Sequence, residues 1–173
     1  TFNTTAPDAG GIDLTSDRER PGNHAAYRGG MSLWCANCHG DFHNTSYPTN
    51  LEHPSGAALG PVVAAAYNAY NGTDDQTGGV QASAYLAAVP FEDAGAATNS
   101  TAGPNAGSKV MCLSCHRAHA SSAPDAGRWD FSVTFLHEDG HESGSYLIPD
   151  PYASVNQRSL CNKCHNKDAF DAN

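Results

Sequence analysis

One five-residue motif, Cys-x-x-Cys-His, occurs three times in this chain and limits its fold more than any other feature. The copies begin at Cys35, Cys112 and Cys161, and their second thiols belong to Cys38, Cys115 and Cys164, so the motif uses all 6 cysteines. Two thiols at this spacing, followed directly by a histidine, are typical of covalent c-type haem attachment: each thiol binds one vinyl group and the histidine ligates the iron. The motif therefore predicts three covalently attached haem c groups, with His39, His116 and His165 as proximal iron ligands.

Paired cysteines also occur in structural zinc sites, in redox-active dithiols and in disulfide frameworks. Zinc sites usually combine paired knuckles, which gives no reason for a histidine directly after every pair. A thioredoxin-like dithiol needs one pair in a βαβ unit, whereas this chain has three pairs in sequence rich in loop-forming residues. Haem attachment is the interpretation that explains all three copies.

The length of the chain bounds the architecture around these haems. A chain of 173 residues is expected to form one domain, residues 1–173, and three haems leave 173/3, or about 58 residues, for each. Because only 39% of the residues are hydrophobic, haems have to fill much of the interior. We expect mostly irregular coil with short α-helices and little β-sheet, wrapped around a chain of three haems. Residues 1–23 are expected to form a flexible or exchanged arm, and residues 54–110 a haem-free insert.

Local patterns predict a few short elements. The apolar run Met31-Ser32-Leu33-Trp34 is expected to enter the first motif as a helical turn. Residues 61–72 have proline in the first turn and glycine just past the end, which predicts a helix. The apolar residues 82–91 are too few to distinguish strand from helix, and residues 131–135 have some β character.

The formal net charge is −9, from 9 basic and 18 acidic residues, before any haem propionate is counted. Nucleic acid and anionic membrane surfaces are therefore not expected partners, because the chain offers no basic stripe for phosphates. No apolar run is long enough to span a bilayer, and the polar start lacks a signal-peptide pattern. Since c-type haem is attached after export, we expect a mature exported protein that is extracellular or at the cell surface, or alternatively periplasmic.

Three six-coordinate irons need three further ligands, and six histidines lie outside the motif: His24, His43, His53, His119, His137 and His141. The two methionines lie so close to their own motifs that they are tied to the side already taken by histidine. Bis-histidine ligation is therefore expected, with lower reduction potentials than a histidine–methionine pair. We expect three of His24, His43, His53 and His119 to be the distal ligands.

Specific roles are expected for two of these histidines. On a helical turn His116 and His119 would share a face, so His119, blocked from its own iron, would ligate a second haem. His24 lies on the amino-terminal arm, and if it is not folded back it could reach the last haem of a neighbouring subunit, in a head-to-tail contact that propagates as a filament.

Residues 137–141 match the zinc-protease pattern His-Glu-x-x-His. That pattern works only on a helix, which brings both imidazoles to one face. Asp139 and Gly140 lie between His137 and His141, so we expect a solvated loop rather than a peptidase site.

The residues in and around the three motifs, at 34–43, 110–119, 128–129 and 157–167, resemble the multihaem c-type cytochromes exported by metal-reducing microbes. Some members of that family polymerise into extracellular cytochrome nanowires. The resemblance implies electron transfer rather than enzymatic catalysis, in a homopolymer that meets redox-partner cytochromes or extracellular electron acceptors. It also implies that His24 is lent to the haem of the next subunit.

Two other functions stay open at this point. A monomeric periplasmic shuttle would have all three irons six-coordinate without polymerising. A haem enzyme, such as a nitrite or hydroxylamine reductase, would need an open iron position, and the many spare histidines argue against one.

Overall fold

A computed structural model of the chain describes residues 8–15, 19–40, 55–72, 77–139, 152 and 156–165. Within these ranges the chain is mostly irregular, with short helices and one two-stranded sheet. This confirms the expectation of coil with short helices and little sheet. None of the helices in these ranges has the length and apolar character needed to cross a bilayer.

The regular elements follow in chain order. Strands β1 (Gly10–Ile12) and β2 (Ala26–Gly29) pair antiparallel, with Gly11 opposite Tyr27. The α-helices are α1 (Met31–Ala36), α2 (Gly60–Ala69) and α3 (Cys112–Cys115). Short 3-10 helices span Gln81–Ser83, Pro124–Ala126, Leu136–Glu138 and Leu160–Lys163.

The predicted arm is partly held to the body of the protein. Strand β1 lies within it and pairs with β2 just before α1. Gly30, which precedes α1 at φ 83°, lies so close to the Asp8 carbonyl that a Cβ there would collide with it. Thr15 donates from its backbone N–H and its hydroxyl to the Asn23 side chain, at 3.0 and 2.7 Å. Residues 10–12, and with them Asp8 and Thr15, are therefore positioned by contacts.

Helix α2 confirms the helix predicted over residues 61–72. It begins with proline in its first turn, where the missing N–H costs no hydrogen bond, and ends at Ala69. Its buried face carries Tyr67, whose hydroxyl donates to the Val89 carbonyl at 2.8 Å and accepts the Leu86 N–H at 3.1 Å. The apolar residues 82–91 therefore begin in a 3-10 turn and continue as a loop that is hydrogen-bonded to α2. They form neither the strand nor the α-helix that the sequence left open.

One side-chain core joins α2 to the later part of the chain. This core is a cluster of eight buried side chains: Tyr67, Tyr70, Ala84, Leu86, Val89, Trp129, Leu136 and Leu160. Three motif cysteines, Cys115, Cys161 and Cys164, pack against that cluster. The β character expected for residues 131–135 produces no strand; only an isolated bridge forms, between Phe135 and Arg158.

Candidate haem-attachment site

The three motifs fold locally into the same helical turn. In each copy the N–H of the histidine donates to the carbonyl of the first cysteine at 3.0 Å: His39 to Cys35, His116 to Cys112 and His165 to Cys161. In the first and third copies the second cysteine also donates to the first, at 3.1 Å. This turn follows from the spacing, because residues three and four apart lie on one helix face. Each motif therefore presents both thiols from a single turn.

The first two turns meet through their leading thiols. Helix α1, which carries Cys35, packs against α3, and the Cys112 N–H donates to the Ser32 hydroxyl at 3.3 Å. The Cys112 thiol lies within hydrogen-bonding reach of the Cys35 thiol; after burial, it is the next cause that raises the pKa of Cys35. We call the helical turns at residues 35–39, 112–116 and 161–165 the first, second and third attachment turns. The first and second are therefore neighbours.

The second and third turns lie against the same core, the second through the other thiol of α3. Burial, and to a smaller extent the nearby thiols of Cys164 and Cys161, raise the pKa of the Cys115 thiol to about 12. The three side chains pack against the same core cluster. Because Cys112 faces the first turn and Cys115 faces the third, the second turn lies between the other two.

The chemistry of the thiols fits covalent haem attachment. All six are free of disulfides. Burial also raises the pKa of Cys164, to about 11, against the lowering effect of Lys163. The thiols of Cys115 and Cys164 are therefore protonated at neutral pH. Within the described ranges, no three His, Cys, Asp or Glu side chains form a group that could hold a metal ion.

The ring of His116 is oriented as an iron ligand requires. Its Nδ1 lies 3.0 Å from the Asp125 carbonyl and donates to it in the tautomer that leaves Nε2 unprotonated. The backbone around that carbonyl is unusual, since Asp125 and Ala126 have φ values of 56° and 54°. Metal-bound histidines commonly donate their second N–H in this way, so His116 fits the proximal role. His39 and His165 are exposed at the ends of their turns.

The comparisons with known proteins bear on these three turns. No family model matches the chain. In an alignment of 179 positions, the chain is 42% identical to the C-type cytochrome OmcS of Geobacter sulfurreducens. The chain also resembles a cryo-EM structure of the OmcS nanowires, with a TM-score of 0.66 and 39% identity over 83% of this chain. This chain is a relative of the nanowire cytochrome OmcS. A second structure, an Outer Membrane Cytochrome S filament from the same organism, matches with a TM-score of 0.61 and 37% identity.

The relationship to OmcS extends over only part of that protein. The sequence match covers 83% of this chain but 41% of OmcS, and each structural match covers 44% of the solved chain. The chain thus spans less than half the length of its relative. The resemblance to exported multihaem cytochromes inferred from the motifs is confirmed, and the activity and partners of the whole protein belong to the proposals below.

The expectation that His116 and His119 lie on one helical turn is wrong. Helix α3 ends at Cys115, and His116 is extended, with φ −107° and ψ 157°. His119 itself has a φ of 67°, so the two histidines do not share a helix face. The turn ends because the N–H of Arg117 donates to Ala126, which draws the chain away from the helical path. His119 is exposed, and its role as a distal ligand stays a prediction.

The structure corrects the placement of His24 on a loose arm. The residue is 2% exposed and stacks on Tyr85 with ring centroids 3.7 Å apart. Its Nδ1 lies 2.9 Å from the Ala25 carbonyl, and its Nε2 lies 2.9 Å from the Ser100 carbonyl. Both ring nitrogens are therefore engaged within the chain, and in this conformation neither is offered to an iron of this subunit or of a neighbour.

The other predicted histidines are placed only in part. His43, His53 and His141 lie outside the described residues. His137 is exposed on the 3-10 helix Leu136–Glu138 and stacks against Phe135, with ring centroids 5.9 Å apart. That helix is shorter than the α-helical turn on which a peptidase motif would need both its histidines.

The sequence reasoning missed two buried cations that hold attachment turns in place. Lys163, between the thiols of the third motif, is 0% exposed and donates from Nζ to the carbonyls of Tyr67 and Ala84, at 3.1 and 3.0 Å. Arg128 is 3% exposed and donates from Nε to the Leu113 carbonyl, inside the second motif, at 2.7 Å. Nothing in the sequence around Lys163 or Arg128 indicates burial, because their partners are backbone carbonyls distant in sequence.

Proposed function

We propose that each of the three turns carries one covalently bound haem c, and that the chain relays electrons along the resulting row. The observation that carries the proposal is the position of the second turn beside both of the others: the Cys112 thiol lies within hydrogen-bonding reach of Cys35, and Cys115 packs against the same core cluster as Cys161 and Cys164. Haems fastened to neighbouring turns are close enough for electrons to pass in short steps. The bound haem supplies the redox chemistry, and the chain supplies attachment, ligation and spacing.

The proposed ligands follow from the donors that are available. His39, His116 and His165 would bind the irons of their own haems, with the Asp125 carbonyl holding His116 in the ligand tautomer. The distal positions would be taken by His43, His53 and His119, because His24 is engaged within the chain. Bis-histidine ligation at all three irons would leave no open position for a substrate, which favours electron transfer over enzymatic catalysis.

We further propose that the protein is exported and assembles with copies of itself into an extracellular filament. This rests on the similarity to OmcS, whose solved structures are nanowires and a filament. The buried position of His24 means that such assembly would proceed either without this ligand or after its release from Tyr85. Redox-partner cytochromes or extracellular acceptors would meet the exposed haems.

The number of haems is tested by intact mass and by a pyridine haemochrome assay on the protein matured in an exporting host. We expect a mass increase equal to three haems and a low-spin absorption spectrum. Alanine at both cysteines of one motif should remove one haem and leave two. A wild-type chain with the bare polypeptide mass would contradict the proposal. Negative-stain microscopy of the same material separates a filament from a monomeric shuttle.

A further inference from the structure

Two charged side chains of opposite sign are buried beside the first and second attachment turns. Glu92 and Arg128 are each 3% exposed. Charged residues are almost never this buried unless they are paired, because removal from water penalises the charge. Within the described residues the hydrogen-bond partners are backbone groups and, for Arg128, the neutral Tyr27 side chain, so neither Glu92 nor Arg128 is hydrogen-bonded to a side chain of opposite charge.

Glu92 belongs to the first turn. Its Oε1 accepts the N–H of Met31 at 2.7 Å, and Met31 is the first residue of α1, the helix that carries Cys35. The backbone of Glu92 is fixed by a reciprocal pair of hydrogen bonds with Lys109, at 2.9 and 2.8 Å. The carboxylate is therefore held at the start of α1, about one helical turn before Cys35.

Arg128 belongs to the second turn. Its Nε donates to the Leu113 carbonyl at 2.7 Å, and its backbone N–H donates to the Cys115 carbonyl at 2.7 Å. Its Nη1 donates to the Ala87 carbonyl at 3.3 Å, and Tyr27 is a further side-chain partner. These bonds hold the guanidinium against the stretch between the two thiols of α3.

Two charged side chains near Arg128 have opposing effects on it. The guanidinium of Arg117 and the carboxylate of Glu19 act on it through space with opposite signs. An arginine side chain stays protonated in proteins, so this positive charge is permanent.

Reduction of a haem adds one electron to it. A buried positive charge stabilises the added electron and raises the reduction potential, and a buried negative charge lowers the potential, because a low dielectric strengthens both interactions. We propose that Glu92 and Arg128 grade the haem potentials, making the potential at the first turn lower than that at the second. This rests on the proposed function. An electron that arrives at the first haem would then pass downhill to the second.

The test uses the full haem-loaded chain and isosteric variants that remove charge. Reduction potentials are measured by spectroelectrochemical titration, with haem methyl NMR signals assigning each step. Glu92→Gln can still accept the Met31 N–H, and we expect it to raise the potential of the first haem. Arg128→Gln is expected to lower the potential of the second haem. Arg128→Lys keeps the charge and should restore most of that shift.

Two exposed residues with matching bonds serve as controls. Glu138 accepts the Phe135 N–H at 3.2 Å through Oε2, and Arg28 donates from Nε to the Ala96 carbonyl at 3.2 Å. We expect Glu138→Gln and Arg28→Gln to leave all three potentials within the scatter of the wild type, because solvent screens exposed charges.

Unmoved potentials in Glu92→Gln and Arg128→Gln, or shifts of the same sign in both, would overturn the grading while leaving three haems and electron transfer intact. If Arg128→Gln does not assemble, Glu92→Gln decides the proposal by itself. A wild-type chain without haem at the first or second motif would instead overturn the proposed function, and the grading with it.

Discussion

Asp93 shows what a single side chain contributes near the second attachment turn. Its Oδ2 accepts the Ser108 hydroxyl at 2.6 Å and the Asn105 amide at 2.8 Å, and its Oδ1 accepts the Gly95 N–H at 2.8 Å. The bond from Ser108 is the largest cause that holds the pKa of Asp93 below its usual value of 3.8. This carboxylate fastens the loop before α3 to the segment that contains Glu92.

The lowered pKa predicts a pH dependence of stability. The unfolded state binds a proton more readily than the folded state, so the contribution of Asp93 is complete above its unfolded pKa and is lost as pH falls through the folded pKa. We expect Asp93→Asn to be less stable than the wild type at neutral pH, and the difference to shrink as the pH falls below about 4. Urea unfolding at several pH values measures this. A difference that grows on acidification would contradict it.

At the scale of elements, α2 and the third attachment turn stabilise each other through Lys163. The ammonium donates to Tyr67 and lies 4.3 Å from the centroid of its ring. Carbonyls in the last turn of a helix lack intrahelical partners and carry the negative end of the helix dipole, so a cation there is favourable. Burial nevertheless lowers the pKa of Lys163, to about 7. The motif turn is thus fixed by the end of a helix that contains no cysteine.

Lys163→Met should therefore destabilise the fold although methionine fills a similar volume. We expect a loss of about 2 to 3 kcal/mol in the free energy of unfolding, because the hydrogen bonds from Nζ are removed and two buried carbonyls lose their donor. Lys109 is exposed, so Lys109→Met is the matched control and should change that free energy by less than about 0.5 kcal/mol. Guanidinium unfolding of both variants measures the two losses. Equal losses would refute the capping role.

At the scale of the whole molecule, the order of the attachment turns decides how electrons could travel. Cys35 lies beside Cys112, and Cys115 packs against the same core cluster as the third pair. In the described part of the chain, the middle turn therefore lies on the path from the first turn to the third.

Removing the middle haem should interrupt that path. In the variant with Cys112→Ala and Cys115→Ala, we expect electron transfer between the first and third haems to be lost. Removing the third haem through Cys161→Ala and Cys164→Ala should leave transfer between the first two. Rapid-mixing reduction followed at each haem band measures both variants. Undiminished transfer in the middle-haem variant would refute the linear order.

Sequence patterns predicted the local elements better than the ligand set. The proline and glycine around α2 predicted that helix, because the residues that start and end a helix are its neighbours in the sequence. His119 was misplaced because a tertiary bond from Arg117 to Ala126 ends α3 early. His24 was misplaced because its partners, Tyr85 and Ser100, are far along the chain.

The sequence by itself determined the three attachment turns. The Cys-x-x-Cys-His spacing closes a hydrogen bond between residues four apart, so each turn forms from its own residues. Only the tertiary structure decided which turns are neighbours and which charges are buried beside them. The contact of Cys35 with Cys112 and the burial of Arg128 depend on packing between distant segments, whose geometry no local pattern encodes.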